Sequence, residues 1–167
     1  MPAQHTADQP SPCPLAKGSP LLVSPSPAGL APLVGTTDFD AELGRLLDTL
    51  TAAQLYDIET ACVERQRAHY GRRLVDALRH RTREVVADRE TDSRWPVVGV
   101  VFGSCEWENG WFWETTGQVR HLDGTRSIVD LDFDDVSGLL ADLSGTERLC
   151  GGERLRIDLR TGDVTVS

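Results

Sequence analysis

Apolar residues repeat at helical spacing as far as Asp92 and at strand spacing beyond Trp95, and this switch narrows the folds open to the chain. Before the switch, Phe39, Leu43, Leu46, Leu47 and Leu50 mark a short helix that Thr36 or Thr37 can cap. Thr51, with Gln54 three residues on, is a capping box. The apolar seam that follows reads Leu55, Ile58, Cys62, Tyr70, Leu74, Leu78 and Val85, and predicts a helix to about residue 90 with Gly71 as the place for a bend. The seam fails at Gln66 and thins around Arg81. That argues against a sustained coiled coil, but it fits a helical arm and a homodimer formed through the long helix.

Beyond the switch, Val97 to Trp107 is a strand rich in β-branched residues. Asn109-Gly110 predicts a two-residue type I′ turn, because both of its central positions need positive φ. The returning strand runs from Trp111 toward Leu122, with Gly117 as a bulge, and Asp123-Gly124 turns the chain into a third strand, Thr125 to Leu131. A helix follows from about Phe133 to Leu143, capped by Asp130 or Asp132. Leu155, Ile157 and Leu159 alternate with charged residues, and a last hairpin turns at Thr161-Gly162-Asp163 before Val164 and Val166. The fold class predicted is α+β: N-terminal helices, one of them long, packed on a mainly antiparallel sheet of about five strands.

Eight of the nine prolines lie in the first 32 residues, so residues 1–35 read as a disordered Pro/Ser-rich tail. Residues 36–167 then form one domain, helical over 36–92, with the sheet and one helix over 95–167. The start has no basic leader ahead of an apolar run, and no stretch approaches the apolar length of a membrane span. A soluble cytoplasmic protein without membrane contact is expected. Cys13, Cys62, Cys105 and Cys150 are too scattered for a disulfide framework or a zinc clamp, so neither a metal nor another cofactor is expected.

The net charge of −9 is unevenly spread: residues 37–94 carry −2 and residues 95–167 carry −7. An acidic half of this kind disfavours nucleic acid and suits a basic protein partner. The most basic stretch, residues 63–83, has seven Arg against Glu64 and Asp76. Its spacings are those of surface ion pairs that also steer the acidic half into place.

Two places carry residues suited to chemistry. In the hairpin SCEWENGWFWE, a loop at Asn109-Gly110 sets Glu108 opposite Trp111 and Glu106 opposite Trp113. Alternation then gathers Glu106, Glu108, Trp111 and Trp113 on one face, and Cys105, Trp107, Phe112 and Glu114 on the other. Tryptophans beside carboxylates suit a contact face, and a Glu106–Glu108 pair also suits acid/base work on a glycosidic bond. The second place is Asp130-Leu131-Asp132-Phe133-Asp134-Asp135. In a strand, Asp130, Asp132 and Asp134 share a face and present oxygens for a divalent cation. At a strand-to-helix junction the same residues are caps. Cys105 and His121 fall too far apart for a nucleophile–base couple. The functional reading is a small noncatalytic binding or regulatory protein, meeting a basic partner through Trp111, Trp113, Glu106, Glu108, Asp130 and Asp132. The alternative is a small hydrolase-like enzyme using Glu106 and Glu108, or Asp130 and Asp132, with or without a divalent cation.

Overall fold

A computed structural model describes residues 39–88 and 90–167. The predicted tail and the caps Thr36 and Thr37 lie outside them. The chain divides into two units, residues 1–50 and 51–167, so the boundary falls inside the segment read as one domain. The first unit contains α1 (Phe39–Leu47), whose Arg45 pairs with Glu42 at 2.7 Å and whose end is closed by the Asp48 N–H donating to the Gly44 carbonyl. The second contains α2 (Ala52–Ala87), β1 (Val97–Trp107), β2 (Gly110–His121), β3 (Arg126–Asp130), α3 (Asp134–Thr146), β4 (Arg154–Asp158) and β5 (Val164–Val166). The fold is α+β, with the long helix packed against one antiparallel five-stranded sheet of order β3-β2-β1-β4-β5.

The capping box forms as its sequence predicts: the Gln54 N–H donates to the Thr51 hydroxyl, and the Thr51 N–H donates to the Gln54 side chain at 2.9 Å. From there α2 runs 36 residues without a break, ~54 Å at 1.5 Å per residue. Gly71 is not a bend. It is buried, and a Cβ placed on it would stand 3.5 Å from a Val164 methyl, so the glycine marks the helix's close approach to β5. All the buried residues of α2 fall at or after Gly71: Gly71, Leu74, Val75, Leu78, Thr82 and Val85.

These side chains and Val136, Leu139, Leu140 and Leu143 of α3 pack on one face of the sheet. The sheet answers with Val100 and Phe102 of β1, Val119 of β2, Val129 of β3, and Leu155 and Ile157 of β4. Ion pairs tie α2 to the α3 region, Arg67 to Glu147 at 2.7 Å and Arg81 to Asp135 at 3.1 Å, while Arg81 also lies over the Phe133 ring at 4.8 Å. The basic helix thus docks the acidic half, as its charge pattern predicts.

The β1–β2 register departs from expectation. Trp107 pairs with Gly110, so the loop is Glu108-Asn109 rather than Asn109-Gly110. Gly110, with φ of 142°, opens β2 instead of completing the turn. Glu106 therefore faces Trp111, and Ser104 faces Trp113. The shift is by two positions in the pairing, which keeps every side chain on its predicted face. Farther along, Phe102 pairs with Gly117 and Ser104 with Trp113, so Glu114, Thr115 and Thr116 bulge opposite Gly103. Gly117 lies just beyond this bulge, and the Phe102 ring crosses its backbone. A Cβ there would stand 3.0 Å from Phe102 and 3.1 Å from Val100. Gly117→Ala is expected to cost about 1–3 kcal/mol through overpacking. A urea midpoint unchanged from wild type would show that Phe102 has room to yield.

The Asp123-Gly124 turn is a three-residue loop, closed by the His121 N–H donating to the Thr125 carbonyl, with Gly124 at φ of 88°. His121 is buried and internally satisfied. Its Nδ1 lies 2.7 Å from the Trp95 carbonyl, which only accepts, so Nδ1 carries the proton and Nε2 faces the Ser127 hydroxyl at 3.3 Å.

Candidate binding surfaces

The covered face of the sheet takes the two tryptophans proposed for contact. Trp113 is 5 % exposed, its N–H donates to Ser144 Oγ at 3.1 Å, and Ser144 in turn donates to the Leu140 carbonyl. Trp113 is a core residue under α3, and this corrects its place in a contact face. Its indole Nε1 is buried with no hydrogen-bond partner. Trp111 is half-buried, with its ring across Gly151, where a Cβ would come within 2.7 Å. That ring is seated by the 147–153 segment, which is stitched to β1 by Ser104 Oγ donating to the Cys150 carbonyl and the Ser104 N–H donating to the Glu153 carbonyl. The exposed indole is Trp107, 64 % accessible, on the opposite face with Cys105 and Phe112. Its Nε1 donates to Cys105 Sγ at 3.0 Å.

Glu106 and Glu108 are both exposed at the hairpin end, and neither lines either of the two main recesses of the fold. A pair of carboxylates that never faces a concavity has no place to hold a glycosidic bond. One carboxyl among the described residues has its pKa raised, and no local sequence signal pointed to it. Burial pushes Glu147 up and the nearby Glu153 adds to the push, while Arg67 opposes them.

The acidic run resolves into a junction. The Asp130 carboxylate accepts the Asp132 N–H at 3.1 Å, and Asp132 accepts the Ser137 hydroxyl at 2.6 Å. Helix α3 begins at Asp134 with Phe133 as its N-cap and no side-chain cap, so the predicted Asp130 or Asp132 cap is corrected to a brace one turn inside the helix. Among the described residues no group of three or more His, Cys, Asp or Glu is placed to hold a metal ion. Asp130, Asp132 and Asp134 are exposed and do not converge.

The uncovered face of the sheet carries a shallow groove along Gly99 and Val101, flanked by Arg120, Arg126, Arg154 and Arg156. Its charges are partly answered. Arg120 reaches Asp158 at 3.7 Å, and Arg156 donates to Ser167 Oγ. The Arg160 and Thr161 backbone N–H groups, which both donate to Asp158, hold that carboxyl below the usual range, and the Arg160 and Arg120 charges add to the effect.

A second surface lies on α2. Its first half, residues 52–70, contains no buried residue, although Leu55, Tyr56 and Ile58 are 39 %, 68 % and 36 % exposed. At 3.6 residues per turn, Leu55, Ile58 and Cys62 lie on nearly the opposite side of the helix from Leu74, Leu78, Thr82 and Val85. The stripe therefore points away from the helix face that packs on the sheet. No helix among the described residues is long and apolar enough to cross a membrane. Comparison with known protein families, with curated proteins and with solved structures gave no match.

Proposed function

We propose that this is a noncatalytic binding protein that works as a homodimer, two copies pairing antiparallel along the first half of α2. One observation carries this reading: an apolar stripe on a helix face turned away from the protein's own core. Helix in isolation is marginal in water, and most of its stability in proteins comes from packing an apolar face.

The occupant follows from charge. Residues 52–62 carry Asp57 and Glu59 and no basic group, whereas residues 63–73 carry Arg65, Arg67, Arg72 and Arg73 against Glu64. Two antiparallel copies set the acidic section of each against the basic section of the other. Centred on Cys62, such a pair brings Glu59 of one copy beside Arg65 of its partner, flanking the Leu55–Ile58–Cys62 stripe. It also brings the two exposed Cys62 thiols to the twofold axis. The acidic surface left at Glu106, Glu108 and Asp130 is then displayed twice in each assembly, for a basic partner.

Light scattering on the full chain should give twice the chain mass, and Ile58→Asp should weaken the association by roughly thirtyfold or more, as loss of a central apolar anchor does. Mild oxidation should link the wild type through Cys62, and Cys62→Ser should abolish the link without dissolving the dimer. A wild type that stays monomeric at high protein concentration would sink this reading.

A further inference from the structure

The largest unneutralised positive site of this acidic chain lies at the other end of α2. A recess of about 330 Å³ opens between the C-terminal half of α2, the start of β1 and the end of β4. Arg79, Arg83, Arg94 and Arg160 line it, with Val86 and Leu159 among its apolar walls, and no Asp or Glu is among its lining residues. Arg79 is fixed in place: its Nε donates to the Leu159 carbonyl at 2.9 Å, and Nη1 meets Asp76 at 3.2 Å. The side chains of Arg83 and Arg94 make no hydrogen bond or ion pair among the described residues.

The nearby carboxylates are committed elsewhere. Asp76 is held by Arg79, and Asp158 accepts the backbone N–H groups of Arg160 and Thr161 while facing Arg120. A chain with 26 acidic side chains has ample means to neutralise four guanidinium groups, yet none of its carboxylates enters this recess. Like charges brought together repel, and the arrangement is stabilised when an anion occupies the space between them. Guanidinium groups match the planar, two-pronged oxygen pairs of phosphate better than any other side chain.

We propose that this recess binds a small organic phosphate, its multiply charged oxygens between Arg83, Arg94 and Arg160 and its apolar portion against Val86 and Leu159. Arg79, already anchored, sets the floor of the site. The proposal is independent of the dimer, because the recess and the Leu55–Ile58–Cys62 stripe share no residue.

The test uses the full chain, with pyrophosphate and phenyl phosphate as probes, titrated at low ionic strength and followed by amide chemical shifts and calorimetry. Both should bind saturably, one per chain, with shifts concentrated at residues 79–86, 94–97 and 159–160. The double variant Arg83→Gln/Arg94→Gln should bind about tenfold more weakly or worse, since each charge-assisted contact is worth that order. Both side chains are exposed, so the variant should keep the wild-type spectrum. Arg126→Gln, on the uncovered sheet face, should bind as the wild type does. Phenyl phosphate should bind more tightly than inorganic phosphate if the apolar wall takes part, and equal affinity would overturn that portion of the proposal. Absence of saturable binding, equal affinity in the double variant, or loss of binding in Arg126→Gln would each overturn the site.

Discussion

Trp113→Ala is expected to lower the unfolding free energy by about 3–5 kcal/mol, the largest effect of any single change at the hairpin. Trp113 fills the space between β2 and α3, and at 5 % exposure almost none of its surface meets water. Its removal leaves a cavity beside Ser144, a residue that links the two elements by accepting from the Trp113 N–H and donating to the Leu140 carbonyl. Those links survive the mutation, so α3 is held from collapsing fully into the void. Trp113→Phe separates the causes. It keeps most of the apolar volume and removes an indole N–H that is buried without a partner, a group whose burial costs about 1–3 kcal/mol. Its loss should therefore be less than half that of Trp113→Ala. Guanidinium denaturation midpoints at constant slope measure both changes. A Trp113→Ala midpoint within error of wild type would mean that the ring is not core.

Leu78→Ala should destabilise by about 2–5 kcal/mol, because Leu78 has no exposed surface and belongs to the cluster that joins α2 to the sheet. The same truncation at Leu55, on the same helix but 39 % exposed, should leave the stability of the isolated subunit within about 0.5 kcal/mol of wild type. Its effect should show instead as weaker association. The contrast distinguishes the two halves of α2. If Leu55→Ala unfolds the protein as Leu78→Ala does, in a variant already made monomeric by Ile58→Asp, then the first half of the helix is part of the core and the paired-arm assembly is wrong. Denaturation of both variants at two protein concentrations provides the readout, because only a dimer contribution changes with concentration.

What the sequence alone determined about this protein is local. The Thr51–Gln54 box sets the start of α2, because both of its hydrogen bonds lie within four residues. The change of apolar period separates helix from strand near Asp92, and alternation assigns each hairpin side chain to a face even though the pairing is two positions from the one expected. The charge pattern foretold that a basic helix would meet the acidic half, since Arg67–Glu147 and Arg81–Asp135 need only complementary signs. Tertiary structure decided the rest. Alternation sorts Trp111 and Trp113 from Trp107 and Phe112 but cannot choose which pair is covered, because that depends on α3 and the 147–153 segment arriving from more than 30 residues away. Gly71 looks like a hinge until Val164, distant in the chain, packs against it. The arginine recess had no signal at all, for its residues come from positions 79 to 160 and only the folded chain brings them to one place.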